Sequence, residues 1–458
     1  MITYGERQLA LLPDNIKPVV ENPDNRSRRE WGTFKDSLKA PIHRWFTYPA
    51  GFSYKAVEYS LKTYGVTKGQ TVYDPFMGSG TTNVVAKTIG INSYGVEAHP
   101  FIFEVAQAKL DWSINPVDIR DALNNIEDEV RVRKPVMSNS AHDILKKEFP
   151  ELILKCYSET VLLELLIIRD VLLSLPLSRN SYRFLFVGLA SLLRQVSSAA
   201  TGWPYIAPKK SKITSNGKIP IVEFKRCIYE MLDDIRVTIA KAEPSYDDAE
   251  HHYFNEDSRN TIGLIPNNSI DHIFTSPPYL NNFDYADRTR LELYFFGRAK
   301  TWRDISDTIR SRLITSATTQ ISRNDPRYII SSELRTCCPD VFMSLQTATK
   351  ELSKLRLQKG GKKSYDLLVS GYFNDMYLSL KDAFRVLKNN CVAVYVLGDS
   401  APYGVHIPTD EFIGKIALNL GFSEFKILTL RERGGKWPNN PQRHKVKLKE
   451  SVVILKKS

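Results

Sequence analysis

The chain has 458 residues, 42% hydrophobic and 25% charged. That balance is ordinary for a globular protein and excludes collagen-like, mucin-like and long disordered architectures. At roughly 150 residues per domain the length allows two or three domains, or one large domain with insertions. Lys and Arg total 63 against 51 Asp and Glu, a formal charge of +12, which favours a polyanionic partner, most simply nucleic acid.

In chain order, the first 40 residues are polar, with a basic knot at Arg26, Arg28 and Arg29. The start, MITYGERQLALLPDN, lacks the basic-then-apolar pattern of a secretion signal. The spacing predicts a helix over about Ser53–Tyr64. Gln70–Asp74 is then a short apolar run between Gly69 and Pro75, a buried-strand signal. A glycine-rich turn, Phe76-Met-Gly-Ser-Gly80, leads into a predicted helix at Thr82–Thr88. A second strand, Ser93–Glu97, ends on a carboxylate. Strand, glycine turn, helix and strand in that order open a doubly wound α/β domain.

Between about Asp111 and Ala249 the pattern turns helical, interrupted by the basic loop Pro208–Lys218. Its most apolar stretch, Val161–Leu175, carries Glu164, Arg169 and Asp170 and is too short to span a bilayer. It reads as a buried helix. Strands return at His252–Phe254 and Ile270–Thr275. A polar, basic stretch at about 298–363 interrupts again. Predicted helices at Tyr377–Leu387 and Thr409–Leu420 follow, with strands at Val392–Leu397, Phe425–Leu430 and Val452–Leu455. The organisation is one α/β core, residues 1–110 and 250–458, carrying a helical insertion at 111–249 and a basic one at 298–363. The 5 cysteines, Cys156, Cys227, Cys337, Cys338 and Cys391, are odd in number and form no CxxC pair. Neither a disulfide framework nor a zinc ribbon fits, which points to a reducing, cytoplasmic setting without a membrane partner.

Two motifs carry chemistry. In Asp74-Pro-Phe-Met-Gly-Ser-Gly-Thr-Thr82 the glycines let a ligand approach the backbone, and the following helix offers unpaired N–H groups. The lysine of a phosphate loop and the third glycine of a dinucleotide fingerprint are both missing. Glu97 lies 23 positions after Asp74, at a strand end where a carboxylate typically grips ribose hydroxyls. Taken alone, the glycines read equally well as a tight turn without a ligand. The second motif, Thr275-Ser-Pro-Pro-Tyr279, directly follows a strand. Consecutive prolines end the strand in a rigid turn at the edge where α/β sheets bind ligands. A hydroxyl, backbone carbonyls and an aromatic ring within four residues suit a planar base with an exocyclic amine.

Together, DPFMGSGTT and TSPPY resemble the S-adenosylmethionine-dependent DNA amino-methyltransferases, which methylate cytosine N4 or adenine N6. The resemblance covers about 41–110 and 250–300, and 365–458 more weakly. It implies a seven-stranded, doubly wound, Rossmann-like methyltransferase core. It also implies that Asp74, Phe76, Gly78 and Gly80 line the methionine end of the cofactor, with Pro75 and Thr81 in the same turn. Glu97 then holds the ribose and Asp257, in Asn255-Glu-Asp-Ser258, the adenine. Ser276, Pro277, Pro278 and Tyr279 become the catalytic set, with neither a metal nor a covalent intermediate. The segment His43–Ser53 is similar to the stretch that closes over the cofactor, although Trp45, Phe46 and Phe52 read equally as core aromatics. Here the glycine motif comes first, about 200 positions before TSPPY, whereas many cytosine-N4 enzymes have the reverse order. That leaves two candidates for target recognition. One is the insertion 111–249. The other is 298–363, with Arg303, Arg310, Arg312, Arg323, Arg327 and Arg335, then Lys350, Lys354, Arg356, Lys359, Lys362 and Lys363. Arginines suit base-edge and phosphate contact, and at least half of these read equally as solvated helix faces.

The implied partner is double-stranded DNA, with a cognate restriction endonuclease as a further one. Ser-Pro-Pro-Tyr favours cytosine N4 over adenine N6. An RNA amino-methyltransferase usually carries DPPY or NPPY, and a noncatalytic DNA-binding module fits less well with a full set of motif residues. Carbon-5 cytosine methylation needs a Pro-Cys pair, and no cysteine here follows a proline.

Overall fold

The computed structural model describes residues 30–48, 51–200, 206–211, 217–360, 363–433 and 446–458. Arg26, Arg28, Arg29, Pro49, Ala50, Lys362 and residues 212–216 of the basic loop lie outside the described residues, as do the side chains of 208–211.

Seven strands make the main sheet. They are β1 (Thr71–Asp74), β2 (Asn92–Val96), β5 (His251–Phe254), β6 (Ile270–Thr275), β7 (Leu387–Gly398), β8 (Glu424–Arg433) and β9 (Leu448–Lys456). Two short strands, β3 (Ala199–Ala200) and β4 (Ala207–Ser211), pair separately as an antiparallel ribbon. The order across the main sheet is β5-β2-β1-β6-β7-β9-β8. The first five are mutually parallel, and β9 runs antiparallel between β7 and β8. The doubly wound expectation therefore holds, with the sheet mixed rather than wholly parallel. The central strands read as apolar runs because both faces are covered: Val72, Tyr73, Ile273, Phe274 and Val394 through Leu397 are all buried.

Parallel pairing aligns the carboxyl ends of β1, β6 and β7. Asp74 pairs across to Gly95 of β2, Tyr73 to Ile273 of β6, and Thr275 of β6 to Tyr395 of β7. The register thus brings the glycine turn after β1 and the TSPPY turn after β6 to one edge, although 201 positions separate Thr275 from Asp74.

The chain between β2 and β5 is helical: Pro100–Leu110, Pro116–Ser138, Ala141–Glu148, Glu159–Ser174, Arg179–Val196 and Pro220–Lys241 are its main helices. One apolar cluster runs from Phe101, Ile102 and Val105 through Leu165, Phe184 and Ile228 to Leu291 and Phe295. The insertion thus shares its core with helices that flank the sheet, among them Thr81–Thr88 through Val84 and Pro100–Leu110 through Phe101. Charges inside its most apolar helix are all answered. Glu164 is 1% exposed, pairs with Lys134 and accepts from the Ile221 N–H, while Arg169 meets Glu148 and Asp170. Among the described residues no helix is long and apolar enough to cross a membrane.

The stretch 298–363 departs from its sequence reading as an interruption. The helix Pro339–Gln358 buries Val341, Leu345 and Leu352 in a second cluster with Leu368, Tyr372 and Met376. The next helix begins at Tyr365 rather than Tyr377. Its early turns present Leu368, Val369, Tyr372 and Phe373 at helical spacing, and burying that face extends the helix backwards.

Candidate active site

The glycine turn is fixed from both ends. Asp74, fully buried at the end of β1, accepts on Oδ1 from the Phe76 N–H (3.0 Å) and from the Thr275 hydroxyl (2.6 Å). Its Oδ2 is buried with no hydrogen-bond partner among the described residues. Burial pushes this carboxyl up to about 6, although those hydrogen bonds pull the other way. Gly78 and Gly80 have φ of 52° and 86°, the left-handed region where a side chain is strained. Gly80 is also the N-cap of the helix Thr81–Thr88.

Glu97 follows β2 directly and is 9% exposed. Its Oε2 accepts from the Gly78 N–H (2.8 Å) and its Oε1 from the His99 N–H (2.8 Å). Each oxygen keeps a lone pair for another donor. Burial pushes it up to about 7, against the two backbone hydrogen bonds. Asn255 donates to the Glu97 carbonyl (2.7 Å), tying β2 to the loop after β5.

A cleft, partly open to solvent, lies over this edge. Of the residues expected at the site, Pro75, Phe76, Gly78, Thr81, Glu97, Asp257, Ser276 and Pro278 line it. Asp74, Gly80, Pro277 and Tyr279 do not line it. Asp74 stands behind the turn, where it holds the turn's shape rather than forming the wall. Tyr279 is 7% exposed; its hydroxyl donates to Glu450 Oε1 (3.2 Å), and the Arg433 guanidinium covers its ring. Asp257 reaches the cleft with both oxygens bonded to Arg259 Nε (2.9 Å each), and Arg259 also donates to Asp375 (2.6 Å). Trp45 and Phe46 turn out to be core: Trp45 is 3% exposed, donates to Asp234 (3.0 Å) and meets the Phe184 ring edge-on. Phe52 both lines the cleft and packs on Phe274.

Several cleft residues were not expected at the cofactor and catalytic site from the sequence. Tyr48 sits within the His43–Ser53 stretch, and Tyr285 follows the TSPPY turn. Arg312, Leu313 and Ile314 come from the basic stretch, and Arg312 donates to the Asn255 carbonyl (2.6 Å). Others of that stretch are engaged within the protein. Arg310 is buried against Asp284 (2.7 Å), Arg323 lies 3.5 Å from Asp366, and Arg327 pairs with Asp325 (2.6 Å). A solvated face does not describe Arg310, whose side chain is buried, whereas the Arg312 side chain keeps 34% of its surface exposed at the cleft. Arg303, by contrast, is 89% exposed at its side chain. In the helical insertion, Lys218 lies 3.5 Å from the Gln195 carbonyl.

The edge therefore sets the glycine turn and the Glu97 and Asp257 carboxyls beside the Ser276–Pro278 turn in one cleft. A family model described as DNA methylase matches residues 14–108. The chain is 25% identical to the Type II methyltransferase M.BsoBI of Geobacillus stearothermophilus, over 96% of this chain and 90% of that protein. It is 24% identical to the Type II methyltransferase M.AvaI of Nostoc sp., over 87% and 82% of the two chains. A shorter match, 35% over 114 residues, is to the Type II methyltransferase M.MjaII of Methanocaldococcus jannaschii, covering 25% of this chain and 21% of that one.

Proposed function

We propose, for a chain that belongs to the S-adenosylmethionine-dependent DNA amino-methyltransferase family, that it methylates the exocyclic N4 amine of cytosine in double-stranded DNA. One observation carries this reading: Ser276 and Pro278 line the same cleft as Gly78, Glu97 and Asp257. Base chemistry and cofactor chemistry then share one space. The residues fit the cofactor, because Glu97 is anchored by two backbone N–H groups and still has lone pairs for ribose hydroxyls. Asp257 would take the adenine amine, and the turn Phe76–Gly80 the methionine end. When bound, S-adenosylmethionine supplies an electrophilic methyl group.

The residues of this chain act on the amine. Its lone pair is delocalised into the ring, so the nitrogen is a poor nucleophile. Ser276 and the Pro277 carbonyl accept its N–H bonds and draw it toward tetrahedral geometry, which localises the lone pair. The same acceptors stabilise positive charge as it develops on the nitrogen. The Asp74–Thr275 hydrogen bond ties the two turns together, so the acceptors and the cofactor turn keep a fixed relation. A base in duplex DNA reaches this edge only when flipped out. Tyr279 would stack on it, once the groups covering its ring part. Ser-Pro-Pro-Tyr supports cytosine as the base, and relatives that are Type II methyltransferases support a companion restriction endonuclease. Labelled methyl offered in parallel to duplex DNA, RNA and protein tests the substrate class. Incorporation into DNA is expected; label in RNA or protein alone would overturn the reading.

A further inference from the structure

Beyond the cleft, an unusual polar cluster surrounds Tyr279 where β6, β7 and the β8–β9 pair end. Arg431 Nε donates to Glu450 Oε2 (2.6 Å), the carboxylate that also receives the Tyr279 hydroxyl. Glu450 is 2% exposed, and Arg431 neutralises it. Arg433 has no acidic counterpart in an ion pair among the described residues. Its guanidinium stands 5.4 Å from the centroid of the Tyr279 ring. Its Nη1 is buried and has no hydrogen-bond partner among the described residues. The fold leaves room for that nitrogen: a Cβ on Gly398, the last residue of β7, would lie 2.1 Å from it. Gly398 needs no left-handed backbone, so the missing side chain is what the site uses. A buried donor left without an acceptor is costly, and such a donor beside the aromatic ring of a base-binding motif points to an acceptor that arrives with the ligand.

We propose that Arg433 reads the target base, yielding the Tyr279 ring face to a flipped cytosine and donating to its O2 and N3. This rests on the cytosine-N4 reading and names the group that selects the base. Cytosine carries N3 and O2 side by side next to its amine. A guanidinium presents two N–H bonds in a planar fork that matches such a pair. Adenine offers only N1 beside its amine, followed by a C–H, so the fork would be left half unpaired. Sites built around buried donors reject ligands that leave them unpaired. Arg433 ends β8, the edge strand of the sheet, and its long side chain can swing from over the ring to beside the base.

The test compares the parent protein with Arg433→Gln and Arg433→Lys on two duplexes. One carries the target cytosine. The other replaces it with a 2-aminopyridine C-nucleoside, which keeps the amine and the adjacent ring nitrogen but has no O2. The parent should lose about ten- to hundred-fold in kcat/KM on the analogue, and Arg433→Gln about the same on cytosine. The Gln variant should then fare no worse on the analogue than the parent does, with cofactor affinity and melting temperature unchanged. Arg433→Lys keeps the charge over Tyr279 but lacks the fork, so it should also lose rate, and it preserves the readout if the Gln variant fails to fold. Parent-like activity of both variants on cytosine, or equal losses on both bases, overturns the proposal. N6-methyladenine as the parent's product is a different result: it removes the cytosine reading itself, whatever Arg433 does.

Discussion

Glu97 and Asp74 face two demands that burial sets against each other. Both carboxyls are pushed up by desolvation, Glu97 to about 7 and Asp74 to about 6. A raised carboxyl holds its proton better folded than unfolded. Its contribution to stability is therefore full below the unfolded carboxylate range, near 4, and is lost as pH rises through about 6 to 7. Ligand hydroxyls donating to Glu97 favour the ionised form instead. Cofactor binding should then release protons near pH 7, and affinity should fall as pH drops from 8 to 6. Calorimetry in two buffers of different ionisation enthalpy reads the protons directly, and Glu97→Gln should abolish the release while weakening binding. At Ser276 the expected effect is on turnover. Ser276→Ala removes an acceptor whose contact strengthens as the nitrogen becomes tetrahedral, so kcat should fall about ten- to hundred-fold with cofactor affinity unchanged. These residues were legible because local strings carry them: DPFMGSG sets a turn, and a carboxylate closes the next strand. Tyr48 and Tyr285 were not singled out, because tertiary packing rather than a local string sets which residue of each segment reaches the cleft, and Arg312 stood out only as one arginine among many in a basic stretch.

At the level of elements, the glycine turn and the basic stretch make opposite lessons. The turn's left-handed Gly78 is a backbone requirement visible in sequence. Gly78→Ala should cost about 1–2 kcal/mol of strain and shift the N–H that anchors Glu97, so both melting temperature and cofactor affinity should drop. In the stretch 298–363 the arginines look alike in sequence, yet their surroundings differ. Arg310 is 4% exposed at its side chain and answers the buried Asp284, so its role is set by a partner 26 positions away. Arg310→Ala strands a buried carboxylate and should destabilise the fold by about 3–5 kcal/mol, read as a lowered denaturation midpoint. A stable Arg310→Ala protein with weakened DNA binding would return this arginine to the DNA surface. The helix boundaries followed a similar rule. Thr409–Leu420 was read to the residue because a proline precedes it and a glycine follows it, whereas Tyr365–Val386 carries Gly371 inside it, which weakens the helical signal of its first turns.

For the whole molecule, the sheet explains why two motifs far apart in sequence serve one site. The register of β1, β6 and β7 aligns their carboxyl ends, and ligands of α/β sheets bind at that edge. The strand pattern could be read from alternating apolar runs and glycine turns, but the strand order, and the shared core of the helical insertion, depend on long-range pairing that no local window contains. The charge of +12 belongs to this scale too, and it bears on how DNA is met rather than on the fold. The central claim is chemical, and the most direct measurement is mass spectrometry of nucleosides from duplex DNA methylated by the purified protein with S-adenosylmethionine. N4-methylcytosine is the expected product; N6-methyladenine alone, or DNA without any added methyl group, would contradict the account.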